Sequence, residues 1–198
     1  GTYYGGENYD NCNSVAIDAS GNVFIGGETN SIVNVATPGA FQTVLMSSYS
    51  SMDKDLFLVK LNGSGVRQWG TYFGHMGAEG NASVKLDAAG NIYLAGNTES
   101  DTAFATADAF QKKLGGSSDL LLARFNSSGF RTWASYYGWS GYEYCRSMTV
   151  DASGNMYVAG MIDGTVPDFA TMSAHQTALL GSYEGFLLKI ANDISPIT

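Results

Sequence analysis

Apolar and polar positions alternate over short runs, and the runs recur in a fixed order along the chain. Ser14-Val-Ala-Ile17, Ser83-Val-Lys-Leu86 and Ser147-Met-Thr-Val150 show the two-residue period of a strand with one buried face. Each is followed by an Asp-x-x-Gly-Asn cluster at 18–22, 87–91 and 151–155, and then by a run rich in β-branched and aromatic residues such as Asn91-Ile-Tyr-Leu-Ala95. Two such runs joined by Asp, Gly and Asn predict a hairpin. The carboxylate can accept turn amides, and the glycine can take the left-handed conformation of a bulged turn. A long connection leads to a third run: Asp55-Leu-Phe-Leu-Val-Lys-Leu61, Asp119-Leu-Leu-Leu-Ala-Arg-Phe125 and Glu184-Gly-Phe-Leu-Leu-Lys-Ile190. After the tips Asn62-Gly-Ser-Gly65 and Asn126-Ser-Ser-Gly129, a fourth run appears as Val66-Arg-Gln-Trp-Gly-Thr-Tyr-Phe73 and Phe130-Arg-Thr-Trp-Ala-Ser-Tyr-Tyr137.

The turn aspartates lie 69 and then 64 residues apart, so the chain is one unit repeated three times. A unit of this kind buries its apolar face only by stacking on a neighbour. The predicted fold is all-β: β-propeller blades, as three four-stranded antiparallel repeats of about 65 residues. The array is expected over residues 1–191, in units of approximately 1–69, 70–133 and 134–191, with 192–198 as a linker or tail. Trp69 and Trp133 recur at equal positions and are expected to pack blade against blade. The three turn aspartates also invite a calcium reading. Each cluster supplies a single carboxylate where Ca²⁺ takes six to eight oxygens, so turn architecture is expected and no metal site.

The tyrosine-glycine strand, the Asp-x-x-Gly-Asn turn, the connection Thr37-Pro-Gly-Ala-Phe-Gln42 and the strand Asp55-Leu-Phe-Leu-Val-Lys60 together resemble the bacterial β-propeller repeat family called SBBP. The resemblance runs through the whole chain. It departs in the third unit, where His175 replaces the repeated Phe and Asn192-Asp-Ile-Ser-Pro replaces the glycine-bearing tip. It implies a bacterial, secreted or surface-located protein, and it carries no catalytic site to transfer.

The ends bear on assembly. Gly1-Thr-Tyr-Tyr-Gly5 aligns with Gly70-Thr-Tyr-Phe-Gly74, the end of a fourth strand, while the third unit stops after its third strand at Ile190. This half-blade offset admits three outcomes: a piece of a longer propeller, two copies closing a six-bladed ring, or a head-to-tail fibre in which Thr2, Tyr3 and Tyr4 donate a strand to a neighbour. Cys12 and Cys145 fall in one column of the repeat, each six residues before its turn aspartate. They are candidates for a disulfide across the junction, within a ring or between subunits, in an oxidising compartment; two buried free thiols are the alternative.

Strand alternation places the short hairpin tips on one end of the blades and the long, varied loops on the other, where recognition usually sits. Tyr9, Asp10, Trp139, Tyr142 and Tyr144, beside Glu7, Glu79 and Glu143, form a candidate glycan- or peptide-binding face there. Half of these rings could equally fill gaps between blades. Asn62, Asn81 and Asn126 lie in Asn-x-Ser sequons, of which composition alone would supply about two.

Composition narrows the partners. A net charge of −8 argues against nucleic acid and anionic membrane, both of which need a basic face, and no apolar run is long enough for a membrane helix. Few charges with many Ser, Thr, Asn, Gly and Tyr suit an extracellular surface. His75 and His175 occupy different repeat positions, and no nucleophile, metal or phosphate motif occurs, so no catalytic residue and no cofactor are expected. The expected role is a secreted or cell-surface structural and interaction protein that self-assembles. A glycan- or peptide-binding module is the alternative, and a polysaccharide-acting enzyme a distant third.

Overall fold

The computed structural model describes residues 1–47, 53–163 and 169–192. Parts of the two long connections (48–52 and 164–168) and residues 193–198 of the expected tail lie outside the described residues. Among the described residues eleven strands form three antiparallel sheets. The first holds β1 (Asp10–Ile17), β2 (Val23–Thr29), β3 (Asp55–Leu61) and β4 (Arg67–Phe73) in that order. The second holds β5 (Glu79–Leu86), β6 (Ile92–Thr98), β7 (Asp119–Phe125) and β8 (Arg131–Tyr137). The third holds β9 (Tyr142–Val150), β10 (Met156–Asp163) and β11 (Tyr183–Ile190). Three consecutive antiparallel sheets joined in sequence order are consistent with a propeller-like fold.

The turns form as their chemistry dictates. Asp18 Oδ1 accepts the amides of Ser20 and Asn22, both at 2.9 Å, while Oδ2 takes the Asn22 side-chain amide at 2.7 Å. Asp87 and Asp151 repeat the arrangement and add the hydroxyls of Tyr93 and Tyr157 at 3.1 Å. Gly90 sits at φ 82°, which a side chain rarely adopts. Each carboxylate is spent on its own turn.

The first strand of each sheet begins earlier than the alternation predicts. Instead of starting at Ser14, Ser83 and Ser147, β1, β5 and β9 reach back to Asp10, Glu79 and Tyr142 across a bulge. The bulge inserts unpaired residues (Asn81 takes φ 56°), so the two-residue period is lost there and the upstream half reads as loop.

Sheets stack face to face with β5 between β1 and β9. Between the first and second sheets, Leu56, Leu58, Val84, Leu94 and Phe125 form one core, and Phe73 wedges into it, 5.2 Å from both Phe104 and Phe125. Tyr93, Leu122, Met148, Val158 and Phe186 form the equivalent core between the second and third. Trp69 stands on the neighbouring sheet's tip. Its indole N–H donates to the Ser127 carbonyl at 3.3 Å, and a side chain at Gly129 would meet its ring at 2.9 Å. Trp133 is buried in the second core, 5.7 Å from Phe110.

Candidate functional site

The two outer faces of the stack are left uncovered at positions that are buried inside it. Val15 on β1 is 57% exposed, whereas Val84 and Met148, its counterparts on β5 and β9, are buried between sheets. On the opposite end Leu187 of β11 is 73% exposed, while Leu58 and Leu122 in the same column are fully buried. The same columns of the repeat are thus buried at the internal junctions and exposed at the two ends of the stack.

The open end of the third sheet also carries a groove. In the first sheet, β4 is held by the connection that begins at Thr37. The Thr37 amide donates to the Gly70 carbonyl at 2.9 Å, Tyr72 N–H to the Gln42 carbonyl at 3.1 Å, and Gly74 N–H to Gln42 Oε1 at 3.2 Å. In the second sheet Thr106 with Ala134, and Gln111 with Tyr136 and Gly138, repeat all three bonds. In the third sheet the matching residues Thr171 and Gln176 stand beside β11, but among the described residues no strand pairs with the outer edge of β11. What remains is a groove of about 570 Å³, lined among others by Tyr137, Ile162, Phe169, His175 and Gln176. Gln176 already donates its side-chain amide to Glu184, as Gln42 does to Asp55 and Gln111 to Asp119 at 2.9 and 2.7 Å.

Residues 1–5, expected to act as a fourth strand, form no strand within the chain. Of these residues Tyr4 and Gly5 contact the first sheet. Tyr4 packs there with its ring 5.1 Å from Phe57 and its hydroxyl donating to the Val35 carbonyl at 2.6 Å. Phe73 and Tyr137 meet Phe104 and Phe169 in the same way at the two internal junctions. Tyr3 points away and is fully exposed, whereas Tyr72 and Tyr136 in its column are buried. Thr2 is exposed as well.

Each internal junction buries two carboxyl groups, one from the third strand of one sheet and one from the first strand of the next. Asp55 faces Glu79, and Asp119 faces Glu143. Glu79 accepts from Thr98 and Ser100 hydroxyls, both at 2.7 Å, and from the His75 amide at 2.9 Å. Burial pushes it up to about 8, with a further push from Asp55. Glu143 is poorer in donors, because Ile162 stands where Thr98 stands in the second sheet. Its Oε2 takes the Trp139 amide at 3.3 Å, and its buried Oε1 has no partner among the described residues. Burial and the Asp119 charge push it up to about 7. Asp55, raised to about 6 by burial, accepts the Met46 and Ser47 amides at 2.9 Å. These pairs were not singled out by motif reading, although acids at both columns in all three units were a signal for them.

The aromatic residues expected to form a recognition face are largely engaged with protein. Trp139 packs edge-on against Tyr137 at 5.2 Å and Phe169 at 5.4 Å. Tyr142 and Tyr144 stack on each other, 5.9 Å apart and 6° from parallel. Tyr9 lies under the Lys54 ammonium, which pairs with Glu28 at 3.2 Å. Glu7 accepts the Ile32 amide at 2.9 Å, while Asp10, Glu79 and Glu143 serve the inner strands. Asn62 and Asn126 use their carbonyl oxygens to close the hairpin tips, whereas Asn81 donates to Asn97 at 3.2 Å.

Within the chain no disulfide joins Cys12 to Cys145, and both thiols are free. Cys12 is exposed, and Cys145 is buried in the core between the second and third sheets.

Antiparallel sheets stacked in chain order are consistent with the propeller-like class of all-β folds. Residues 1–32, which span the Gly1–Gly5 segment and the first hairpin, match the family model described as SBBP, beta-propeller repeat. No curated protein matches the chain.

Proposed function

We propose that the protein is a secreted or cell-surface structural module of three β-propeller blades, each repeat about 65 residues long, that self-associates head to tail. Residues 1–5 of one copy complete the third sheet of the next. The observation that carries this is the opposed placement of two neighbouring tyrosines. Successive residues of a strand face opposite sides. Tyr4 is docked on its own first sheet, and Tyr3 is left fully exposed on the other side of the segment, where Tyr72 and Tyr136 are buried.

In the groove, three bonds of the first two sheets serve as the template. Thr171 N–H would donate to the Gly1 carbonyl, Tyr3 N–H to the Gln176 carbonyl, and Gly5 N–H to Gln176 Oε1. The Tyr3 ring would enter beside Phe169, as Tyr136 lies 5.8 Å from Phe104. Backbone bonds supply affinity and the ring supplies register, the division of labour in strand addition. The contact is heterologous, so it builds a ring where the rotation closes and a filament where it does not. No catalytic step, metal or cofactor enters this role.

Light scattering with size exclusion, together with negative-stain images of the intact protein, tests it. Concentration-dependent rings or filaments are expected, and they should be lost on deletion of residues 1–5 and in Tyr3→Asp. A monomer at all concentrations, or an oligomer indifferent to both changes, overturns the proposal.

A further inference from the structure

At the second internal junction the paired carboxyls converge on a glycine that follows the fourth strand, and at the first the third-strand acid lies against the matching glycine. A side-chain carbon at Gly138 would lie 2.5 Å from Asp119 Cγ and 2.4 Å from Glu143 Oε2. At Gly74 it would lie 2.2 Å from Asp55 Cγ, and at Gly5 it would lie 2.3 Å from Asp10 Oδ2. Asp10 keeps the donors that Glu79 has: Thr29 Oγ1 at 2.6 Å, Ser31 Oγ at 3.0 Å and the Gly6 amide at 2.8 Å. Gly5 thus has its first-strand carboxylate in place and no third-strand partner. The remaining third-strand acid is Glu184, which lines the open groove of the third sheet.

We propose that docking brings Glu184 of one copy against Asp10 of a second copy around Gly5, and that the two carboxyls hold one proton between them, so that acid drives association and alkali opposes it. This rests on the head-to-tail association proposed above and assigns its regulation. Two carboxyls brought together where water is excluded do not both ionise. The internal pairs show the consequence, since Glu79 and Glu143 are pushed up to about 8 and about 7 by burial and the facing acid. Association then takes up a proton, and its constant falls as pH rises above the carboxyl range.

The cations near the contact are engaged elsewhere, Arg67 by backbone carbonyls and Lys189 over the Tyr157 ring. On the Asp10 side stand Glu7, Tyr4, Tyr72, Cys12 and Arg67, whose guanidinium is bonded to the Asn34 and Val35 carbonyls. On the Glu184 side the Gln176 amide and the backbone amides of Leu180 and Gly181 donate to the carboxylate, and His175 and Lys189 line the same groove. Among the described residues neither Asp10 nor Glu184 forms an ion pair. His175 lines the same groove and serves as the control.

Sedimentation velocity of the intact protein from pH 5 to 8.5 at fixed ionic strength is the test, with wild type, Glu184→Gln and His175→Phe side by side. Each variant's folding is checked by circular dichroism. The wild-type association constant is expected to fall by up to about tenfold per pH unit. Glu184→Gln should lose most of that slope and still associate at pH 8, because the amide meets Asp10 without a second charge. His175→Phe restores the aromatic found in the other two units and should keep the slope. General loss of repulsion in a chain of net charge −8 acts on all three proteins alike. A wild type that associates equally at every pH overturns the proton-sharing contact and leaves head-to-tail association standing. So does a slope that survives in Glu184→Gln or vanishes only in His175→Phe. No association at any pH overturns both.

Discussion

Tyr4 donates its hydroxyl to the Val35 carbonyl at 2.6 Å, and so binds the start of the chain to the first sheet at the point where Phe73 meets Phe104 one junction later. Burial and the neighbouring acids and base act on this phenol together, and burial dominates, pushing it up to about 12. It stays neutral and bonded across the physiological range.

Tyr4 and its neighbour should therefore differ sharply in stability tests. Tyr4→Ala removes a half-buried ring and is expected to cost about 2–3 kcal/mol, and Tyr4→Phe about 1 kcal/mol for the lost bond. Tyr3→Ala, at a fully exposed position, should change the dilute monomer by less than about 0.5 kcal/mol. Urea denaturation at low protein concentration measures all three. Equal costs for Tyr3 and Tyr4 would contradict their opposed placement.

Stability should fall as pH rises from about 5 to 8. The folded state holds protons on Glu79 and Glu143 with values near 8 and 7, above the unfolded carboxyl value of about 4.3. Stability from these groups is complete below the unfolded value and is lost as pH climbs through the folded ones. Asp18 and Asp151 act in the opposite sense. The Asn22 and Asn155 amides hold them below the usual range, so their contribution disappears as strong acid protonates them. Glu143→Gln should flatten the decline between about pH 5 and 7 in urea denaturation, and an unchanged slope would show that Glu143 is ionised in the folded state.

The two thiols should react at very different rates. Cys12 is exposed, whereas burial removes Cys145 from reagent and pushes its thiol up to about 12. A disulfide-exchange dye is expected to titrate one thiol in the native protein and two after unfolding, with Cys12→Ser abolishing the native signal. Two rapid native thiols would show that the second core is open.

Strand order, turn chemistry and the repeat were legible because each is local. Asp18, Asp87 and Asp151 close their turns with amides two and four residues away, so a short window of sequence holds every group involved. The upstream halves of β1, β5 and β9 were not legible, because the bulge breaks the period that marks a strand. The ring contacts of Trp139 and of the Tyr142–Tyr144 pair were not legible either, since they involve partners far off in sequence or depend on ring orientation.

By itself the sequence determined which residues alternate, where the chain turns, and that residues 1–5 repeat a fourth strand. Tertiary structure alone decided that Tyr3 and Tyr4 face opposite sides of that segment, that Cys12 is open while Cys145 is sealed, and that Asp119 and Glu143 meet around one glycine. Those facts depend on which face of a sheet meets its neighbour. Stacking sets that through burial across dozens of residues, and no local pattern encodes it.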